Sequence, residues 1–315
     1  MYEVHVSGCF FRRRSGRLQA ARAYRGRCPV TAALADRRVG AKRRAVLPAR
    51  RLATFAWRVL LTLVYAFILC PLVFVVWLSF FRDAIISFPP HGYTLSWYLN
   101  AWSNPAFADG FVLSVKLAAV SSAASVALGV LAALGLRRFP FRGSRAAGVL
   151  LLAPLVVPGI VSGVALYLFY LRLSDALGFD IAGTTAGLVG AHVCLTVPWT
   201  VRLVSASLEG LDATIEEAAR NLGASAVRAF WRVTLPMLRP AIVASALFSF
   251  IISFENLDVS LLLVGPGNTT LPIAIMQYLE FNLDPTIAAV ASMQILLLGI
   301  VMLVTDRFVK ISKVV

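Results

Sequence analysis

Between Lys116 and the pair Arg137-Arg138 the chain reads Leu117-Ala118-Ala119-Val120-Ser121-Ser122-Ala123-Ala124-Ser125-Val126-Ala127-Leu128-Gly129-Val130-Leu131-Ala132-Ala133-Leu134-Gly135-Leu136. That is twenty consecutive residues without a charge. At a rise of about 1.5 Å per residue they cover roughly 30 Å as a helix, the thickness of a bilayer core. A helix satisfies its own backbone groups in lipid, whereas an open strand leaves them unpaired. The stretch lacks the alternation of a barrel strand. It reads as a membrane-spanning helix.

Runs of the same kind recur at 59–81, 146–171, 181–201 and 285–305. A sixth, about 240–264, is interrupted by Glu255 and Asp258. The uncharged run 259–279 is not counted, because Gly265-Pro266-Gly267-Asn268-Thr269-Thr270 at its centre is turn chemistry. The expectation is an all-α integral membrane protein with six transmembrane helices. Pro154, Pro158 and Gly159 should kink the third span and Pro198 the fourth. Composition agrees: 59% of the residues are hydrophobic and 14% charged, against about 45–50% and about 25% for soluble domains. A water-soluble enzyme is excluded, and no catalytic residue is expected. Cys9, Cys28, Cys70 and Cys194 form no paired motif and no cluster with histidine. Neither a disulfide framework nor a metal site follows, and Cys70 and Cys194 read as small buried apolar residues.

The net charge of +15 is concentrated at one end. Residues 1–51 hold 14 Lys and Arg against Glu3 and Asp36 alone. Three readings of this tail stay open: a disordered segment lying on anionic lipid, an over-extended translation start, or a nucleic-acid-binding segment. No folded motif or interleaved aromatics support the last. Residues 52–315 form the membrane domain. Within it, Arg137, Arg138, Arg142 and Arg145 follow the second span, and Arg202, Arg220, Arg228, Arg232 and Arg239 follow the fourth. Arg307, Lys310 and Lys313 follow the sixth, while the opposite loops offer Arg82 and Arg172. The basic side is cytoplasmic, so both termini are expected there. Tyr93, Trp97, Tyr98 and Trp102 in the first outer loop suit an interfacial aromatic belt.

The cytoplasmic stretch of about 203–239 is long enough to carry structure. Thr214-Ile215-Glu216-Glu217 reads as a capping box, with Thr214 at the N-cap and Glu217 at the third helical position. Ala218 and Ala219 favour helix, and Gly223 is a natural stop. Ser225 can cap a second short helix through 226–234, which Pro236 and Pro240 should separate from the fifth span.

Glu217-Ala218-Ala219, three residues, Gly223, nine residues, then Val233-Thr234-Leu235-Pro236 resembles the EAA motif of permease subunits in binding-protein-dependent type I ABC importers. Val233 stands where that motif has isoleucine. The resemblance covers about 52–315. It implies that Glu216, Glu217, Ala218, Ala219, Gly223, Leu235 and Pro236 couple the chain to a cytoplasmic ATPase. It implies a homologous permease as partner in a heterodimer, two ATPase copies, a soluble substrate-binding protein and a multi-pass place in the bacterial inner membrane. ATP and Mg belong to the ATPase, with no cofactor in this subunit. The four lysines, Lys42, Lys116, Lys310 and Lys313, agree: none follows a glycine, as the lysine of a phosphate-binding loop must.

Three later segments are similar to the spermidine/putrescine branch of these permeases, and to its shorter subunit. They are Ser253-Phe254-Glu255-Asn256-Leu257-Asp258, Gly265-Pro266-Gly267-Asn268-Thr269-Thr270-Leu271-Pro272 and Asn282-Leu283-Asp284-Pro285-Thr286. Branches for opines, ferric iron and other small solutes share parts of the pattern. Glu255 falls about 24 Å along the helix from Arg239, in the outer half of the membrane. Asp258, three residues on, should share its helix face. Two carboxylates at that depth, with Phe250 and Phe254 nearby, suit the path of a polycation. They could equally cap a helix break or bond across a subunit interface. His192 reads as a hydrogen-bonded packing residue rather than a proton relay. The rival functions are a secondary transporter or channel, which leaves the motif spacing unexplained, and a membrane-anchored scaffold using the tail.

Overall fold

The computed structural model describes the backbone of residues 4–6, 9–14, 17–20, 30–85, 87–139 and 141–309. Side chains are described from 54 to 307, apart from 86, 140 and 213. The readings placed on the tail, and on Lys310 and Lys313, lie outside the described side chains.

Two compact units divide between Cys70 and Pro71. The first contains a three-stranded antiparallel sheet, β1 (Val4–Val6), β2 (Cys9–Arg14) and β3 (Arg17–Ala20). It also contains most of helix α1 (Val30–Leu78), whose apolar part is Thr54–Leu78. The second unit holds α2 (Ser96–Ser103), α3 (Pro105–Arg138), α4 (Ser144–Leu152), α5 (Gly159–Leu177), α6 (Thr185–Glu209), α7 (Ala213–Asn221) and α8 (Ala226–Ala229). It continues with α9 (Leu235–Phe254), α10 (Asp258–Leu263), α11 (Leu271–Phe281) and α12 (Thr286–Val309). Among the described residues six helices are long and apolar enough to cross a membrane: Thr54–Leu78, Pro105–Arg138, Gly159–Leu177, Thr185–Glu209, Ala226–Phe254 and Thr286–Arg307.

The core of the second unit is the seam where α3, α6 and α9 meet. One face of α3 is a ladder of small buried residues spaced by four: Ser114, Ala118 and Ser122, and beside it Ser121, Ser125, Gly129 and Ala133. Small residues let membrane helices approach closely, and hydroxyls between them find partners across the gap. Ser122 Oγ donates to the Ala246 carbonyl at 2.7 Å, and Ser125 Oγ lies 2.5 Å from Thr196 Oγ1. At the start of α11 the Leu271 amide donates to Ser114 Oγ at 2.9 Å, which anchors α11 against α3.

Three expectations need correction. The third span is broken rather than kinked: α4 passes into a 3₁₀ turn at Ala153–Leu155, and α5 restarts after an extended Pro158. Two prolines four residues apart remove two backbone donors, so the helix stops. Prolines 236 and 240 do not separate the fifth span from the segment before it, because Ala226–Phe254 runs without interruption. Its Phe230–Thr234 part is a π-turn, and Pro236 falls in the first turn of α9, where a missing amide costs little. Cys70 and Cys194 are exposed on this chain, not buried. Apolar residues of a membrane helix face outward as readily as inward.

After the first span the Trp97 indole donates to the Phe81 carbonyl at 2.7 Å, and Tyr98 meets Ser79 Oγ at 2.7 Å. These rings therefore fasten the loop as well as supplying aromatic surface.

Candidate functional site

The first site is built on α7. Its N-cap is Asp212, whose carboxylate accepts from the Thr214 amide at 2.9 Å. The N-cap expected at Thr214 thus falls at Asp212, an aspartate being at least as good a cap as threonine, and with Ile215 at the third helical position the expected capping box does not form. The Thr214 amide, and then its hydroxyl, hold the Asp212 carboxyl below the usual carboxylate range. The helix closes in a Schellman arrangement: the Ala224 amide donates to the Ala219 carbonyl at 3.1 Å and the Gly223 amide to Arg220 at 2.9 Å. Gly223 takes φ +91°, which only glycine adopts cheaply. Ser225 then caps α8, accepting from the Arg228 amide at 3.3 Å.

Glu216 and Glu217 face different ways. Glu216 turns inward: Oε1 accepts from Arg138 Nη2 at the end of α3, and Oε2 accepts from Thr234 Oγ1 at 2.9 Å. Glu217 is exposed and has no hydrogen bond among the described residues. Between α7 and the ends of α3, α6 and α9 lies a cleft of about 300 Å³, with Arg137, Arg138, Glu216, Glu217 and Arg220 in its wall. Ala218 is exposed and Ala219 half-buried, while Leu235 and Pro236 are half-buried at the root of α9. Ile215, which lines the cleft, is exposed, as are Val227 and Trp231, and Leu222 is 90% exposed.

The second site is the break in the fifth span. α9 ends at Phe254 with Glu255 as its C-cap, and α10 begins at Asp258. The two carboxylates therefore do not share one helix face, as continuous helix would require. Asn256 causes the break: its Oδ1 accepts from the amides of Val259 at 3.0 Å and Ser260 at 3.4 Å and so starts a new helix. Glu255 and Asp258 are both exposed to the exterior of this chain. Phe250 stacks on Phe254, with ring centroids 5.9 Å apart. Phe254 is 1% exposed and packs with Phe107, Leu271 and Val290. It is a core residue, and the expectation that it faces a solute is withdrawn. Asp258 lies against the start of α5, where a Cβ on Gly159 would overlap its Oδ2.

His192 is a packing residue. It is fully buried on α6, with Nδ1 2.8 Å from Ser253 Oγ and Nε2 3.1 Å from Ser260 Oγ. Its partners stand on either side of the break. Ser260 Oγ donates to the Asn256 carbonyl at 2.8 Å, so it accepts from the Nε2–H of the ring. Nδ1 of the neutral imidazole then accepts from Ser253. The sequence offered no signal for this link, since its members are separated by 61 and 68 positions.

Residues 125–312 match the family described as "Binding-protein-dependent transport system inner membrane component". The chain belongs to this family. It is a permease subunit of the ABC importer class and a multi-pass inner-membrane protein. It is similar to the putrescine transport system permease protein PotI of Escherichia coli strain K12, with 32% identity over 78% of this chain and 88% of the relative. The spermidine/putrescine transport system permease protein PotC of the same strain is 27% identical over 80% of this chain and 93% of that protein. Among solved structures, a bacterial ABC transporter importing the acidic polysaccharide alginate aligns with a TM-score of 0.65. It shares 18% identity and covers 82% of this chain and 96% of that one, which shows the importer-permease fold. The matched residues include α7, the break and the part of the buried seam from Ser125 onward.

Proposed function

We propose that this permease carries polyamines inward, driven by a separate cytoplasmic ATPase that docks on α7. The docking reading is supported by the exposed Glu217 and the apolar Leu222, Val227 and Trp231, presented beside a helix stop at Gly223. Two ATPase copies below, a homologous permease beside and a soluble binding protein above complete the machine. Both termini lie on the ATPase side, following the basic loops.

The observation that carries the solute reading is the placement of Glu255, taken with the putrescine and spermidine permeases that the chain resembles. Glu255 sits at the C-terminal end of α9, where the helix dipole is negative. Dipole and carboxylate add, so this end of the half-helix favours a cation. Asp258 is placed differently. It lies in the first turn of α10 and against the first residue of α5, so two helix N-termini offset its charge. In this reading Glu255 meets the ammonium groups of the solute and Asp258 fixes the break.

The test is uptake of labelled putrescine by proteoliposomes holding the permease pair, the ATPase and the binding protein. Glu255→Gln should lower uptake about tenfold, the size expected when one charge-assisted contact is lost. Asp258→Asn should lower it less. Parental uptake by Glu255→Gln would remove the cation path from this site, and absence of uptake by the parent would remove polyamines as the solute.

A further inference from the structure

We infer that Glu216 is a positioning residue: held by Arg138 and Thr234, it ties the coupling helix to the second span, so that motion of α7 is delivered to α3. This rests on the reading that α7 docks an ATPase.

The tie has several strands. Arg138 is the last residue of α3 and gives Nη2 to Glu216. Its guanidinium also lies over the Phe230 ring, 5.8 Å from the centroid. The neighbouring Arg137 donates from Nη2 to the Leu211 carbonyl at 3.2 Å. The end of α3 therefore grips the segment before α7, α7 itself and the π-turn after it. Thr234, the last residue of that turn, is buried and fills the second carboxylate oxygen of Glu216. On a helix adjacent residues point about 100° apart. Glu217 can thus face a partner while Glu216 faces the membrane domain.

The static worth of such a contact is small, since Arg138 and Glu216 side chains are 42% and 28% accessible and water screens the pair. Its geometry is what matters. Both carboxylate oxygens are occupied, from two different elements, so α7 cannot shift relative to α3 and α9 without breaking a directional bond. The α3 helix is packed along its ladder of small residues against α6 and α9. A displacement received at Arg138 therefore moves a whole span rather than a loop.

The test uses the full complex with ATPase, in a background free of other cysteines. Environment-sensitive fluorophores are placed on Asn221→Cys, an exposed position at the end of α7, or on Leu131→Cys, an exposed position of α3. In the parent both reporters should respond when ATP and vanadate trap the ATPase. In Glu216→Gln the loop reporter should still respond, and the α3 response should fall about fivefold or more, the scale of losing a coupled contact. ATPase copurification should be unchanged. The exchange Arg138→Glu with Glu216→Arg should restore the α3 response, which a merely misfolded variant would not do. An undiminished α3 response in Glu216→Gln, or no rescue by the exchange, overturns the inference. Loss of the loop response or of copurification would instead place Glu216 in the dock and also overturn it. If the parent itself captures no ATPase, the docking reading falls, and the tether with it.

Discussion

Ser253 Oγ lies 2.8 Å from His192 Nδ1, joining the last turn of α9 to a fully buried ring on α6. The Ser253 hydroxyl has no other hydrogen bond among the described residues, so it depends on the imidazole. Replacing His192 by leucine strands that hydroxyl in the core, at a cost of about 1–3 kcal/mol. His192→Leu should lower the melting temperature in detergent, and adding Ser253→Ala should recover part of the loss. Unchanged melting in His192→Leu would show that the ring does not hold the break.

At the coupling loop Glu217→Lys reverses an exposed charge, and Gly223→Val forces a branched residue to φ +91°. The second change costs about 1–2 kcal/mol locally. Both variants should insert at parental levels, judged by membrane fractionation. Both should lose ATPase copurification and solute uptake. Normal copurification in both would separate the loop from the dock.

Orientation is open to chemical labelling. Single cysteines at Arg145 and Ser225 should be shielded from an impermeant thiol reagent in intact cells, and one at Asn282 should react. All three positions are exposed on the chain, so silence reports the membrane rather than burial. Labelling of Ser225 from outside would invert the arrangement.

The loop before α2 contains a carboxylate with several donors. Asp83 Oδ2 accepts from Ser87 Oγ at 2.8 Å, from the His91 amide at 3.1 Å and from His91 Nδ1 at 3.1 Å. The His91 amide first, then the two side chains, lower its pKa to about 2. A depressed carboxylate stabilises the fold above its ordinary value of about 3.9 and loses that contribution as pH falls through the depressed one. Amide exchange at His91, corrected for its intrinsic rate, should be flat from neutral pH to about 4 and rise toward 2. Asp83→Asn should exchange faster at every pH. Equal protection in that variant would show that the charge does not order the loop.

The spans were legible because length and lack of charge are properties of contiguous residues. The run 117–136 lies inside α3, and the turn chemistry at 265–270 did end α10 before α11. Gly223 and Ser225 were legible for the same reason, being local stop and start signals. What failed depended on a choice between local alternatives or on distant partners. Asp212 outcompeted Thr214 as cap, and Asn256 started a new helix where 3.6-residue periodicity would have carried the old one on. The inward turn of Glu216 was invisible, since Arg138 is 78 positions away in the chain.

The π-turn at Phe230–Thr234 makes the spacing of this region a matter of phase. A π-turn holds one residue more than the α-turn that could replace it. Each residue of an α-helix advances its face by about 100°. Deleting a single position between Ser225 and Leu235 would let the segment relax to ordinary helix. Where the π-turn is kept instead, losing a position would swing α7 by about that angle around the axis of the fifth span. Nine residues separate Gly223 from Val233, and most of them are exposed, so their side chains are free to vary while their number is not. The count acts as the setting of a dial, fixing the direction in which the coupling loop points before any partner arrives.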